Sequence, residues 1–113
     1  MVNRAMEDSR FLDHRRKLIG RISDRGIDDL DILELFDKIH RHHFIPEGSR
    51  ARSYEDEALP IGYGQTASQP SLQALYLSIL QPSANETILE VGTGCGFLTA
   101  LLSQIAERGY SIE

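Results

Sequence analysis

Three glycines at alternate positions follow a short apolar stretch near the C-terminal end of the sequence. The stretch covers residues 88–91 and contains one acid, Glu90. The glycines are Gly92, Gly94 and Gly96. A strand that ends at the carboxyl edge of a parallel sheet leads to the place where open α/β folds bind ligands. Glycines there remove the Cβ atoms that would hold a ligand away from the main chain. The pattern predicts a site for a nucleoside-containing cofactor.

The spacing of the glycines distinguishes between classes of cofactor. A dinucleotide fingerprint has the form G-x-G-x-x-G, and counting from Gly92 and Gly94 places Phe97 where its third glycine belongs. An NAD or FAD site is therefore disfavoured. The observed E-x-G-x-G-x-G, with Thr93 between the first two glycines, instead resembles the first motif of S-adenosylmethionine-dependent methyltransferases. The alternative is a glycine-rich turn that only allows a helix to pack closely.

The residues after the glycines support a cofactor site. Residues 97–105 carry an apolar stripe at helical spacing, and Arg108 and Gly109 are suited to close that helix. A strand-like segment then ends at Glu113, which lies 17 residues after the last glycine (113 − 96). In nucleoside-binding βαβ units, an acid about 20 residues past the glycines accepts hydrogen bonds from ribose hydroxyls. We therefore expect Glu113 to contact the ribose.

Composition and charge indicate one soluble globular domain. The chain has 113 residues, of which 41% are hydrophobic and 26% charged. No run approaches the about 18 apolar residues of a membrane span, and the first 25 residues are rich in charge, so we expect a cytoplasmic protein without a membrane partner. The single cysteine, Cys95, suits a reducing compartment. A net charge of −5 argues against a nucleic-acid partner.

Two amphipathic helices are predicted before residue 46. The first covers residues 4–24 and ends before Gly26. The second begins with Asp28 as its N-cap and carries cations at its C-terminal end as far as Arg41. Its predicted buried residues are Leu30, Leu33, Phe36 and Ile39. The first helix is expected to act as a packing element.

A long loop and a third helix precede the glycine motif. Residues 47–69 are rich in glycine and polar side chains, which predicts a loop with at most short strands, and loops of that length are usually functional. The third helix follows Ser68, has Pro70 in its first turn and ends at Pro82. Its predicted buried stripe consists of Leu72, Leu75, Tyr76, Ile79 and Leu80.

Three neighbouring histidines, His40, His42 and His43, raise the possibility of a metal site. Their spacing is not H-x-x-x-H, and neither a cysteine nor a suitably placed carboxylate accompanies them in the sequence. From the sequence we therefore expect no metal.

The loop and the start of the third helix carry the most specific pattern. Residues 58–70 read A-L-P-I-G-Y-G-Q-T-A-S-Q-P, and they follow R-H-H-F-I-P-E at 41–47 and Y-E-D at 54–56. Together with the glycine motif, this block resembles the protein-L-isoaspartate O-methyltransferases from about Gly26 to Glu113. The chain departs from that family before Arg41, where Ile-His replaces the usual Val-Pro. The departure affects the end of a helix rather than the chemistry.

The resemblance implies an enzyme that transfers a methyl group from S-adenosylmethionine to the free α-carboxylate of an L-isoaspartyl residue in a damaged protein. The ester then collapses to a succinimide, part of which hydrolyses to normal aspartate, so isoaspartyl-containing proteins and peptides are the implied substrates. Ser68 matches the family's active-site serine, whose hydroxyl would hold the substrate carboxylate. The residues expected at the cofactor are Gln65, Thr66, Ala67, Ser68, Glu90, Gly92, Thr93, Gly94, Gly96 and Glu113.

Two of these residues have a second interpretation. Ser68 precedes Gln-Pro and is also suited to be the N-cap of the third helix. Both roles are compatible, because the N-terminus of a helix favours an anion. Glu90 lies near the cofactor's methionine portion in the family pattern, but an acid at the end of a strand can also cap a glycine turn.

The predicted fold class is α/β, with N-terminal helices followed by the start of a Rossmann-like S-adenosylmethionine-dependent methyltransferase fold. Residues 1–69 would form the helical region with the substrate and cofactor loop, and residues 70–113 the beginning of the cofactor-binding domain. Only two parallel strands are expected, although parallel sheets are normally extended and covered on both faces. We therefore expect a chain truncated after the second strand. A catalytically silent fragment, or a module that associates with another polypeptide, remains an alternative.

Overall fold

Helices form the first part of the chain and a strand–helix–strand unit forms the last. The computed structural model describes residues 4–113. The α-helices are α1 (Arg4–Asp24), α2 (Leu30–Lys38), α3 (Pro70–Leu80) and α4 (Phe97–Ser103), and two short 3-10 helices cover Arg41–Phe44 and Glu47–Arg52. The strands are β1 (Leu59–Gly62), β2 (Gln65–Ala67), β3 (Thr87–Val91) and β4 (Arg108–Ile112). The loop predicted for residues 47–69 therefore contains two short strands, as expected.

The strands form two separate pairs. β1 and β2 are an antiparallel hairpin in which Leu59 lies opposite Ala67. β3 and β4 are parallel, with Val91 opposite Ile112, and α4 connects them. This arrangement is the βαβ unit predicted around the glycine motif, so the two parallel strands are confirmed.

The first two helices follow the predicted pattern with corrections at α2. The prediction for α1 is confirmed, and the left-handed backbone at Gly26, with φ of 93°, lies just beyond its end. The N-cap of α2 is Asp29, whose carboxylate accepts the N–H of Asp31 at 3.0 Å, so the prediction of Asp28 was wrong by one residue. Leu30 was predicted to be buried but is 77% exposed. Phe36 is buried as predicted, Ile32 is buried with it, and Leu33 and Ile39 are half-buried against the core.

The second helix also ends earlier than the charges suggested. α2 stops at Lys38 and Ile39 is extended, so Arg41 belongs to the first 3-10 helix rather than to α2. This change of direction turns Arg41 and His42 into the interior, where both are buried. A continuous helix would have kept these polar side chains on the helical face that the periodicity assigns to solvent.

The position of α3 is confirmed, but its buried face is not the predicted one. The residues of the predicted stripe range from 37% exposed at Leu72 to 71% exposed at Leu80. The buried residues of α3 are Pro70, Ser71, Gln73, Ala74 and Leu77. Small Ala74 allows close packing on this side. α3 therefore contacts α1 and α2 through its less apolar face.

The last helix is shorter than predicted. α4 ends at Ser103, and Arg108 and Gly109 lie in β4 rather than at the C-terminus of the helix. β4 begins at Arg108 because that residue pairs with Thr87 in the parallel ladder. Pairing between strands therefore decides the role of these two residues, which local helix signals had assigned to a cap.

One apolar cluster joins the helices. Its buried members are Phe11, Leu18, Ile22, Ile27, Ile32, Phe36, Tyr54, Ala74, Leu77, Phe97 and Leu101. The cluster contains residues from both sides of position 69, where the sequence suggested a division. Within residues 4–113, no helix is both long and apolar enough to cross a membrane.

Candidate cofactor-binding cleft

A tight hairpin presents the first predicted loop residue. Tyr63 and Gly64 form the two-residue connection between β1 and β2 and have φ values of 55° and 70°. Positive φ at both central positions is the pattern of a type I′ turn, which matches the twist of the paired strands. Gln65 follows directly and begins β2. The hairpin thus places Gln65 beside its tip.

The glycine turn adopts a backbone that requires glycine. Gly92, Gly94 and Gly96 have φ values of 86°, 56° and 89°, in a region that L side chains rarely adopt. The N–H of Gly92 donates to the carbonyl of Ile112 at 2.7 Å and so extends the parallel pairing by one bond. The chain then leaves the sheet and enters α4 after Gly96.

The hairpin and the glycine turn line the same cleft. Its volume is about 490 Å³, and its lining residues are Phe44, Pro46, Ile61, Gly62, Tyr63, Gln65, Gly94, Cys95 and Glu113. The cleft thus brings together Gln65, Gly94 and Glu113, which the sequence predicted at a common cofactor. A larger cleft of about 620 Å³ lies along α2 and the end of α3, but no predicted site residue lines it. Size alone therefore does not identify the site.

Glu113 lies against the glycine turn. Its Oε2 accepts the N–H of Gly94 at 3.0 Å, and the residue is exposed. A carboxylate has about four lone-pair positions, so one backbone bond leaves acceptor capacity for further hydroxyl groups. The acid predicted to contact a ribose is therefore at the cleft and able to accept hydrogen bonds there.

Glu90 and Thr93 face a different direction. The carboxylate of Glu90 accepts hydrogen bonds from the hydroxyls of Ser111, at 2.8 Å, and of Thr99. The hydroxyl of Thr93 also forms a hydrogen bond with Ser111. Glu90 lines a small pocket of about 110 Å³ beside α4 and β4, and neither residue lines the larger cleft. In the described part of the chain, these side chains connect the parts of the βαβ unit, and their roles at a cofactor stay predictions.

Ser68 is not the N-cap of α3, contrary to the second interpretation of this residue. The N-cap is Gln69, which caps through no side-chain hydrogen bond. Instead, Asp56 accepts the N–H of Ser71 at 2.8 Å, and its backbone carbonyl accepts from the side chain of Gln69 at 3.0 Å. Asp56 belongs to the Y-E-D triplet at 54–56, but it lies 15 residues before Ser71, so no local sequence signal indicated this contact. Ser68 itself is exposed.

Arg41 holds the backbone of Ser68 and is the main residue that the sequence reasoning missed. Its guanidinium donates to the carbonyl of Ser68 at 3.0 Å and to the side chain of Gln73 at 3.2 Å. It also lies 5.0 Å from the centre of the Phe97 ring, at the start of α4. Burial lowers the pKa of Arg41 to about 10, which still leaves it charged at neutral pH. Arg41 thereby connects the loop, α3 and the helix that follows the glycines.

The remaining loop residues lie outside the cleft. Ala67 is buried with Ile45 and Leu59 in a small second cluster that anchors the hairpin. Thr66 is exposed and lies opposite Pro60 in the hairpin. Neither residue lines the cleft, so their roles at a cofactor stay predictions.

Comparison with known families gives the same assignment as the motifs. A family model described as Protein-L-isoaspartate(D-aspartate) O-methyltransferase (PCMT) matches residues 13–113. The chain belongs to this family. The protein-L-isoaspartate O-methyltransferase of Dictyoglomus thermophilum is 48% identical over 99 residues, which are 88% of this chain and 45% of that protein. The enzyme of the same name from Salinibacter ruber is 41% identical over 107 residues, or 95% of this chain and 46% of that protein.

Solved PCMT structures share the fold. One protein-L-isoaspartate O-methyltransferase superimposes with a TM-score of 0.72 and 31% identity, over 86% of this chain and 32% of that chain. A second structure, from Plasmodium falciparum and in complex with S-adenosyl-L-homocysteine, has a TM-score of 0.70 and 27% identity, over 87% of this chain and 46% of that chain. The predicted α/β fold is confirmed. The chain spans about half the length of the curated relatives it matches.

Proposed function

We propose that this chain carries the cofactor cleft and the substrate loop of a protein-repair methyltransferase. The enzyme would transfer a methyl group from S-adenosylmethionine to the α-carboxylate of L-isoaspartyl residues in damaged proteins and peptides. The observation that carries the proposal is that one cleft joins the hairpin, the glycine turn and Glu113. The shared family and the S-adenosyl-L-homocysteine bound to the Plasmodium falciparum relative support it.

The residues of the cleft fit a nucleoside. A Cβ atom added to Gly94 would point to within 3.8 Å of Ile61 Cδ1, which also lines the cleft. The absence of a side chain there keeps the backbone open to a ligand. Glu113 would accept hydrogen bonds from ribose hydroxyls, as acids at this position do in nucleoside-binding βαβ units. The carboxylate also gives this end of the cleft a negative charge, which suits a cationic cofactor.

The proposed chemistry requires orientation more than proton transfer. A substrate carboxylate has a pKa of about 3.3 to 3.9 and is ionised at neutral pH, so the site requires no strong base. S-adenosylmethionine supplies an activated methyl group on a sulfonium. Ser68 would hold the carboxylate through its hydroxyl, which the cap of α3 does not use. Arg41 would fix the backbone of Ser68, and such positioning lowers the barrier by several kcal/mol in favourable cases.

A second function, that of a module completed by another polypeptide, has its own supporting observation. Apolar side chains of β3 and β4 are more than half exposed. They are Leu89, Val91, Tyr110 and Ile112. Each strand also has one edge without a partner among the described residues. Such edges pair readily with other chains.

A cytoplasmic location and the lack of a nucleic-acid partner stay predictions.

Transfer of labelled methyl from S-adenosylmethionine to an isoaspartyl peptide tests the proposal, with the ordinary aspartyl peptide as the control. We expect labelling of the isoaspartyl peptide alone. Calorimetric titration with S-adenosyl-L-homocysteine measures the cleft separately. Binding without transfer would support the module over the enzyme, and a folded chain that neither binds nor transfers would contradict both the cleft and the activity.

A further inference from the structure

Four potential metal ligands from two distant segments meet beside the first 3-10 helix. They are Asp8, His40, His42 and His43. Asp8 lies on α1, and the histidines lie 32 to 35 residues later in the sequence (40 − 8 and 43 − 8). The nearest carboxylates along the chain, Asp37 and Glu47, do not belong to this cluster, and the packing of α1 against this segment supplies Asp8 instead. One ligand atom from each residue lies within 4.8 Å of every other.

The nitrogens converge on a single oxygen. The Nε2 atoms of His42 and His43 both lie 2.7 Å from Asp8 Oδ1, and the Nδ1 atom of His40 lies 3.5 Å from the same oxygen. Hydrogen bonds from His42 and His43 use the two lone pairs of this oxygen, which leaves none for the ring of His40 at 3.5 Å. A cation among these atoms would instead be coordinated by one lone pair from each nitrogen and by the carboxylate.

We propose that Asp8, His40, His42 and His43 form a zinc site that joins α1 to the segment before the substrate loop. Zinc bonds of about 2.0 to 2.1 Å place tetrahedral ligands about 3.3 Å apart. That spacing lies between the shortest contact, 2.7 Å, and the upper bound of 4.8 Å. Imidazole with carboxylate suits zinc, whereas magnesium and calcium prefer oxygen alone.

The surroundings of His42 are those of a fixed ligand. Its side chain is fully buried, stacks on the Phe11 ring at 4.6 Å and has Nδ1 2.7 Å from the Tyr54 hydroxyl. With Nε2 bound to a metal, Nδ1 carries the proton of the ring and donates a hydrogen bond to the Tyr54 hydroxyl. This hydrogen bond fixes the tautomer. Burial lowers the pKa of His42, which favours the neutral form. Burial opposes ionisation of Asp8, but hydrogen bonds from His42 and His43 lower its pKa to about 2.

The site would be structural rather than catalytic. Four protein ligands close a tetrahedral zinc centre, whereas a catalytic centre keeps one position for water or substrate. His40 and His42 flank Arg41, which holds the carbonyl of Ser68. Zinc would therefore fix the backbone on both sides of the residue that positions the substrate loop. The effect on the substrate loop rests on the proposed function, whereas binding of the metal does not.

Cobalt titration of the chain, produced without a histidine tag and stripped with a chelator, tests the site. We expect the visible bands of tetrahedral cobalt to saturate at one equivalent and to disappear when zinc is added. No sulfur-to-cobalt charge-transfer band should appear, because Cys95 is not a ligand. Zinc should also raise the melting temperature, since it binds the folded state. A folded chain that shows no saturable cobalt binding would overturn the proposal.

Ligand variants and a matched control locate the ion. Asp8→Asn and His43→Gln should each weaken cobalt binding by about tenfold or more, and zinc should raise the melting temperature of either variant less than that of the unchanged chain. His14→Gln is the control, because His14 is the one histidine of the chain outside the cluster and is exposed. Circular dichroism checks that each variant folds. If Asp8→Asn or His43→Gln fails to fold, His40→Gln is measured in its place. Affinities in all ligand variants equal to that of the control would reject this ligand set.

Discussion

Ser68 combines an exposed side chain with a backbone carbonyl fixed by Arg41. Because α3 is capped through Asp56, loss of the Ser68 hydroxyl removes no helix cap. In a catalytically active form of the protein, Ser68→Ala should lower methyl transfer at least about tenfold, the loss of one oriented hydrogen bond of about 1.4 kcal/mol. Binding of S-adenosyl-L-homocysteine should change little. Equal losses of transfer and binding, measured by labelling and calorimetry, would assign Ser68 to the structure of the loop.

Gly94 combines a left-handed backbone with a position at the cleft. Gly94→Val should abolish cofactor binding, because a β-branched residue strains a φ of 56° and places methyl groups beside the ligand. Gly48→Ala is a suitable control, since an added Cβ there meets nothing within 4 Å and Gly48 does not line the cleft. Calorimetric titration with S-adenosyl-L-homocysteine measures both variants. Unchanged affinity in Gly94→Val would remove the basis for the proposed cleft.

At the scale of elements, the start of α3 depends on a residue outside the helix. The side chain of Asp56 is 7% exposed, accepts the N–H of Ser71 and forms an ion pair with Arg25 at 3.1 Å. Asp56→Ala should lower the free energy of unfolding by about 1–2 kcal/mol, the usual cost of losing a cap. Glu34→Ala, at an exposed position of α2, provides the comparison. Urea unfolding with equal losses in the two variants would show that Asp56 does not stabilise α3.

At the scale of the whole molecule, apolar surface on α3, β3 and β4 remains uncovered by the described residues. Ile79 is 69% and Val91 74% exposed. Surfaces of this kind favour association, so we expect the chain to self-associate as its concentration rises in sedimentation velocity experiments. Ile79→Lys should weaken this association. Leu30→Lys is the matched control, because Leu30 lies on α2 and is 77% exposed, and this substitution should leave the association unchanged. A chain that stays monomeric throughout would contradict the expectation.

The sequence by itself determined the glycine turn and most of the element positions, and it predicted that Gln65, Gly94 and Glu113 lie at one site. Gly92, Gly94 and Gly96 occupy backbone conformations that L side chains rarely adopt, so their spacing alone predicted the turn. The boundaries of α1 also followed from local signals, because helix periodicity and a terminal glycine act within a few residues. Glu113 was found at the glycine turn because a βαβ unit fixes the distance between its two strands.

Tertiary structure decided which side of an element is buried and which distant side chains meet. The apolar stripe of α3 faces outward because Gln73 and Ala74 contact the core, and periodicity does not show which partner a helix packs against. Asp8 reaches the histidines, and Asp56 reaches Ser71, only after separate segments pack together. Local patterns report on neighbours along the chain. Contacts between residues far apart in sequence depend on the packing of the whole core, which no short stretch encodes.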